Sequence, residues 1–470
     1  MYREQIENYF AAHKDEMLVE LEKLVNIKSV ANPKEAKPGM PFGEGSAKAM
    51  EAAAEICKAH GFDVKNFDNY VVTAELGPQP AELGILAHLD VVPEGKGWTK
   101  EPYKMSIEGD TIYGRGVSDN KGPAIAGMFA MLAAQEIAGS FKKGVRLILG
   151  GAEEIGSPDL AYYFGTMKQQ APKYSFSPDA SYPVINIEKG SHHPVFSQTW
   201  EKTDALPRLS FFHGEVTANI VPRETEADVL GLKAADVQAA ADQTAAATGI
   251  KFTLTDTEGG VHIHALGVAA HASTPQVGKN SLQAMLQLLT QLPLAEVPST
   301  AAVKSLNRLF PYGDYNGKAL GVAQEDELSG KLTLNFSICD FTEEGFTAKY
   351  DSRTPICAND SNMAQVAKAA LEGCGFTVTG NEMKAPHHVD ENLPFIQTLL
   401  KVYEDYTGNK GECIAIGGGT YAHNIEGSVA FGCELPGREY NIHSDDEMNS
   451  VEELLLGAKM FTQVILDMCC

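Results

Sequence analysis

The stretch LGILAHLDVVP, from Leu83 to Pro93, decides how this chain is read. Its first half is an unbroken apolar run, the pattern of a strand buried on both faces of a sheet. The run ends on His88 and, one leucine later, Asp90. A second stretch has the same design. GVRLILGGAEEIGS (Gly144–Ser157) runs apolar, turns on two glycines and reaches the adjacent pair Glu153 and Glu154. An imidazole or carboxylate at the end of such a strand is either a solvated strand end or part of a site carried on rigid scaffold.

The flanking sequence supplies the scaffold. A helix is expected from about Glu4 to Asn26, and a second, SAKAMEAAAEICKAH, stops at Gly61. Short strands follow, then a hairpin within YKMSIEGDTIYGRG, a helix of small residues (GPAIAGMFAMLAAQEIAG) and the strand before Glu153. Strands alternating with helices predict an α/β domain whose mostly parallel sheet is covered by helices. Ligands of such sheets sit beyond the carboxyl ends of the strands, where His88, Asp90, Glu153 and Glu154 fall. From about Ile187 the pattern becomes β-α-β-β-α, and a second block repeats it in part, each with a helix closing at a glycine (Gly249, Gly375) before a short strand. The first character returns after Ala385. The expected plan is therefore one α/β domain split between residues 1–186 and 385–470, with an α+β domain of two related, ferredoxin-like halves inserted at 187–384.

Composition bounds the partners. The chain has 470 residues, 62 acidic against 38 basic, and a formal net charge of −24. Such a balance repels polyanions, so nucleic acid and anionic membrane surfaces are not expected partners. No stretch approaches the ~20 apolar residues that span a bilayer. The N-terminal segment carries acids and lacks the apolar centre of a signal peptide. The eight cysteines form no C-x-x-C pair, which makes a reducing cytoplasm the expected compartment. Cys469 and Cys470 are expected to be exposed.

Five clusters could carry chemistry: His88/Asp90, Asp119 in GRGVSDNKG, Glu153–Glu154, Asp179 in FSPDAS, and His443 in NIHSDDE. Each alone has an ordinary reading. An H-x-D pair arises by chance, a Glu-Glu pair is usually solvated charge, SPDA is a common turn, and HSDDE could open a helix with Ser444 or Asp445 as cap. Their joint occurrence in one split domain carries the inference. Two imidazoles with several carboxylates suit divalent cations bound by mixed nitrogen and oxygen ligands. A carboxylate such as Asp119 could bridge two ions about 3.5–4 Å apart.

This order of motifs resembles the M20 metallopeptidases, and within them the PepV-type and Sapep-type bacterial metal-dependent dipeptidases. GRGVSDNKGP, SPDASYPV, TANIVP, GVAAHASTP, KYDSRTP and IGGGTYAH carry the resemblance, which spans nearly the whole chain. The H-S-x-D-E context of His443 is common across M20 rather than particular to that branch. The resemblance implies a zinc-peptidase-like catalytic domain with an inserted lid. It implies two divalent ions per chain, Zn2+ or Mn2+, held by His88, Asp119, Glu154, Asp179 and His443, with Asp119 bridging. Asp90 would fix His88, and Glu153 would be the general base. In the lid, His271 would stabilise the oxyanion, while Asn219 and Arg353 would contact substrate. Gly418, Gly419 and Thr420 would form a turn whose backbone approaches it. Arg353 suits a free carboxylate because its planar fork makes two charge-assisted bonds.

The implied activity is hydrolysis of small, unblocked dipeptides, by a chain that acts as a monomer because the duplicated lid stands where another subunit's would. The rivals are an M20 N-acyl amino acid deacylase or desuccinylase, a carboxypeptidase of the same fold acting on longer or folate-type substrates, and a non-catalytic metal-dependent binding protein. The remaining histidine pairs map to no role. His192–His193 and His387–His388 read as domain-junction residues, and His262 and His264 as one face of a strand.

Overall fold

The computed structural model describes residues 2–214 and 217–470. It divides into two compact units. The first comprises the chain up to Ile187, His388–Ile414 and Gly419–Cys470; the second comprises Glu188–His387 and Ala415–Gly418.

The first unit is built on a mixed sheet. Its centre is four parallel strands in the order Gly144–Gly150, Ala81–His88, Tyr174–Ser177 and Ser428–Ala430. Antiparallel strands flank it: Asp63–Phe67 and Val71–Leu76 on one side, Val184–Glu188 on the other. Strand alternation sorts the side chains. Leu83, Ile85 and Ala87 join a large core with Val145, Leu147 and Leu149. The helices Arg3–Val25, Glu44–Ala59, Lys121–Ala138, Pro394–Thr407 and Val451–Cys469 close that core. Leu86 and Ile148 point the other way, into a smaller core with Leu160, Tyr163, Tyr421 and Ile425. Burying one such aliphatic side chain contributes about 1.5–3 kcal/mol, so a strand apolar on both faces is fixed by packing alone.

The expectation for the last two cysteines is corrected. Cys469 is buried, with its carbonyl accepting N–H bonds from Lys142 and Lys143, and Cys470 is half-buried. The terminal helix packs on helix Lys121–Ala138 along its length, which draws its final turn into the core. Among the described residues no helix is long and apolar enough to cross a membrane.

The second unit is an antiparallel sheet. Lys251–Thr257, Gly260–Leu266, Glu224–Leu230 and Arg208–His213 lead into the long hairpin Thr333–Thr342/Gly345–Thr354, followed by Gly190–His192. The two blocks of similar pattern meet where Phe212 pairs with Phe341 and His213 with Asp340, and one core serves both. Helix Ala234–Thr248 ends at Gly249 in the left-handed conformation, φ 68°. Helix Gln365–Glu372 instead ends at Gly373, two residues before Gly375. His262 and His264 do share one half-buried face, paired with Asp228 and Glu224.

Candidate metal centre

His88 is the last residue of its strand, and its ring is almost wholly buried. Its Nδ1 lies 2.9 Å from the Asp90 carbonyl oxygen and 3.4 Å from an Asp90 carboxylate oxygen. Nε2 therefore faces the opposite way, 2.9 Å from Asp119 Oδ1 and 3.6 Å from Asp179 Oδ1. The second oxygen of Asp119 lies 2.8 Å from His443 Nε2, which is 3.3 Å from Glu154 Oε2. Two triads result, His88–Asp119–Asp179 and Asp119–Glu154–His443, each with ligand atoms within 4.8 Å of one another. Asp119 belongs to both, one oxygen to each. All five predicted ligands are brought together.

The Glu153–Glu154 pair differs from a strand end. The strand stops at Gly150, and the two glutamates sit in a short 3-10 turn, Glu153–Ile155, closed by Gly156 at φ 95°. Three successive N–H groups of that turn point at buried carboxylates. Ala152 donates to Asp159 Oδ2 (2.8 Å), Glu153 to Asp90 Oδ1 (3.0 Å) and Glu154 to Asp90 Oδ2 (3.1 Å). Asp90 thus holds the glutamate turn with its carboxylate while its carbonyl meets His88. Asp159 is in turn bonded by the Tyr421 hydroxyl. A Cβ at Gly150 would overlap that hydroxyl, so glycine is required there.

The electrostatics call for positive charge. Asp90, Asp119, Glu153, Glu154 and Asp179 crowd two imidazoles. Burial and then the charge of Asp179 push the Glu153 carboxyl well above its ordinary range. Burial and Asp119 raise Glu154 to about 7. His443 is raised to about 11 by its bonds to Asp119 and Glu154. For His88, burial opposes the charged form, yet the carboxylates of Asp179, Asp119 and Asp90 overcome it and raise its pKa. Glu154 Oε1 is buried and has no hydrogen-bond partner among the described residues. A cluster that gathers protons onto its imidazoles, with an orphaned buried oxygen beside them, fits a pair of divalent cations.

Sequence reasoning missed three residues here. Glu447 is fully buried and accepts N–H bonds from Gly116, Ser118 and Asp119, besides an ion pair from Arg115. Asp159 and Tyr421 are the others. SPD after the glutamates and TYA after the glycines were visible, but no spacing links them.

The sequence model of peptidase family M20/M25/M40 matches residues 84–467, a span holding every residue of both triads. The chain belongs to that family. This M20 peptidase is 33% identical over 464 residues to the Beta-Ala-Xaa dipeptidase of Lactobacillus delbrueckii subsp. lactis, covering 97% of each chain. Its fold resembles human carnosine dipeptidase 1, with a TM-score of 0.62 at 17% identity over 100% of this chain and 99% of the other. It also resembles the M20 metallo-carboxypeptidase Sso-CP2 of Sulfolobus solfataricus, with a TM-score of 0.57 at 18% identity over 96% and 98%. The last two likenesses concern the fold alone.

The residues expected in the lid lie in the second unit of the M20 chain. His271 and Asn219 are neighbours, through the bridge Ile220–His271 and the bond from Ala272 N–H to the Asn219 carbonyl. Ser273 N–H lies 3.2 Å from His271 Nδ1 and can only donate, so Nδ1 accepts and the neutral ring carries its proton on Nε2. Arg353 sits near the end of strand Gly345–Thr354. Asp351 takes its Nε and Nη2 at 2.8 and 2.9 Å, and Nη1 donates to the Gly417 carbonyl at 2.8 Å. The boundary between the units falls between Gly418 and Gly419, and Thr420 caps the short turn Tyr421–Asn424.

Proposed function

We propose that this peptidase is a two-metal dipeptidase that releases the N-terminal residue of an unblocked dipeptide. The observation that carries the reading is the Asp119 carboxylate shared between two ligand triads, with Glu153 on the adjoining turn. The similarity to the Beta-Ala-Xaa dipeptidase along the whole chain supports the substrate class.

His88, Asp119 and Asp179 would hold one divalent ion, and Asp119, Glu154 and His443 the other. Zn2+ and Mn2+ both accept this mixed set. When bound, such ions would supply an acidified water and polarise the scissile carbonyl. Glu153 takes the proton of the attacking water and returns it to the leaving amine. Its raised carboxyl pKa is the direction that this exchange needs. Asp90 keeps the base in place by gripping its N–H. His271, protonated on Nε2, donates to the oxyanion of the tetrahedral intermediate. Arg353 would take the dipeptide's carboxylate with the remaining protons of Nη1 and Nη2, since Asp351 holds Nε and Nη2 and the Gly417 carbonyl holds Nη1. Capture of both ends would limit substrates to two residues.

The deciding experiment is hydrolysis of a small panel by chelator-stripped protein, with and without Mn2+ or Zn2+. The panel holds free, N-acetylated and N-succinylated dipeptides and one tripeptide. Metal-dependent cleavage of the free dipeptides alone is expected. Cleavage restricted to blocked forms would move the protein to the deacylases, and silence with metal bound would indicate a non-catalytic binder.

His271→Ala is expected to lower kcat by about 10²–10³-fold, the usual loss for one oxyanion donor. Binding of an unreactive dipeptide analogue should hardly change. An equal loss in that binding assay would refute the oxyanion role.

A further inference from the structure

The two triads are anchored by different means. His88 ends a central strand, and Asp179 follows the neighbouring one and accepts from Asn120 Nδ2 at 2.9 Å. Glu154 is held by Asp90. Among the described residues His443 has neither a strand nor a side-chain anchor of that kind. It lies between strands Cys433–Glu434 and Met448–Ser450, in a segment without helix or strand, with its own backbone at φ 60°. A left-handed non-glycine residue persists only where its surroundings hold it.

What holds it is a clasp of buried and half-buried groups. Glu447 Oε1 accepts from the N–H groups of Gly116 (3.0 Å), Ser118 (3.0 Å) and Asp119 (3.1 Å). Arg115 Nη1 donates to Glu447 Oε2 at 2.8 Å, and Nη2 to the Ser444 carbonyl at 3.0 Å, one residue beyond His443. The guanidinium is 99% covered, with the Trp98 ring centroid 5.1 Å from Cζ. Further out, the Asp446 carboxylate accepts from the Thr99 N–H and hydroxyl and from the Lys100 N–H. The loop carrying Asp119 and the loop carrying His443 are thus fastened to each other through side chains that touch neither imidazole.

We propose that Arg115 and Glu447 are positioning residues that set the Asp119–Glu154–His443 subsite, leaving the His88–Asp119–Asp179 subsite to the sheet. The proposal rests on the two-metal reading. Loosening the clasp frees His443 and releases the Asp119 N–H, but the chain just after Asp119 stays anchored, because Asn120 Nδ2 donates to the Pro178 carbonyl and to Asp179 Oδ1, both at 2.9 Å. The two ions therefore differ in what they depend on, and one can be weakened without the other.

The test is calorimetric titration of the chelator-stripped, full-length chain with Mn2+. Wild type is expected to take two ions. In Glu447→Gln one ion weakens by about 10–100-fold, the usual effect of losing a partner behind the ligands, while the other stays within about threefold. Single-subsite backgrounds assign them. With His88→Ala, adding Glu447→Gln weakens the remaining ion by the same ~10–100-fold; with His443→Ala it leaves the remaining ion unchanged.

Stripping one partner from a buried pair taxes the fold, so Asp446→Ala loosens the same loop from its surface side. It should weaken the same ion in the same direction, by less. Equal weakening of both ions in the folded variants, or no change in either, overturns the positioning role. A wild type that takes fewer than two ions instead refutes the two-metal reading itself.

Discussion

Glu153→Ala is expected to bind metal as wild type does and to lose on the order of 10⁴ in turnover, the upper end of what a positioned acid–base group contributes. The two outcomes belong together because of where the side chain stands. Glu153 belongs to neither ligand triad, and its N–H, rather than its carboxylate, is what ties it to Asp90. Removing the carboxylate leaves that backbone bond in place, so the turn still presents Glu154 to its subsite. Burial beside Asp179, Glu154 and Asp90 raises the Glu153 carboxyl in the ion-free site, and because that carboxyl is not one of the triad ligands its removal leaves the ligand set intact. Calorimetry with Mn2+ and single-turnover hydrolysis of a free dipeptide read the two halves separately. A variant within tenfold of wild-type rate would remove Glu153 from the mechanism.

Asp119→Asn should do the opposite, losing metal before anything else. Its two carboxylate oxygens face different imidazoles, at 2.9 and 2.8 Å. An amide offers only one oxygen and no charge, so neither subsite keeps both its anion and its geometry. Both ions are expected to weaken by at least the ~100-fold that supporting groups alone can cost. The contrast with His88→Ala is diagnostic, because that change touches a single triad. Undiminished binding of even one ion in Asp119→Asn would argue that the carboxylate does not bridge.

Much of this was legible in the sequence, for a physical reason. His88 and Glu153–Glu154 follow apolar runs that only a buried strand explains, so the chain itself marks where the sheet ends. Asp119, Asp179 and His443 lack such a marker and were reached through their order and their resemblance to a family. Glu447 and Asp159 were not legible. Most of their partners are backbone N–H groups, which any residue supplies, and for Glu447 they lie about 330 positions away. The side-chain partners, Arg115 for Glu447 and Tyr421 for Asp159, lie hundreds of positions away, so no local spacing joins them. Cys469 shows the converse error. A position at the end of the chain suggested exposure, but burial follows the helix that carries it, and Val464, Ile465 and Leu466 pull that helix inward. The turn at Glu153 left no mark of its own in the sequence, because a 3-10 turn of three residues has no period to detect.

The strand Ser428–Ala430 lies between Tyr174–Ser177 and Val184–Glu188 in the first unit's sheet. On the ribosome these two neighbours emerge together, and the strand that joins them follows only after roughly 240 more residues. At about 5–20 residues per second that is on the order of 10–50 s, during which two strand edges stand unpaired. Nearly all of the second unit is made in that interval and can fold at once. Vectorial synthesis therefore completes the inserted unit first and exposes the half that carries both triads to its longest risk of aggregation while it waits for its own centre.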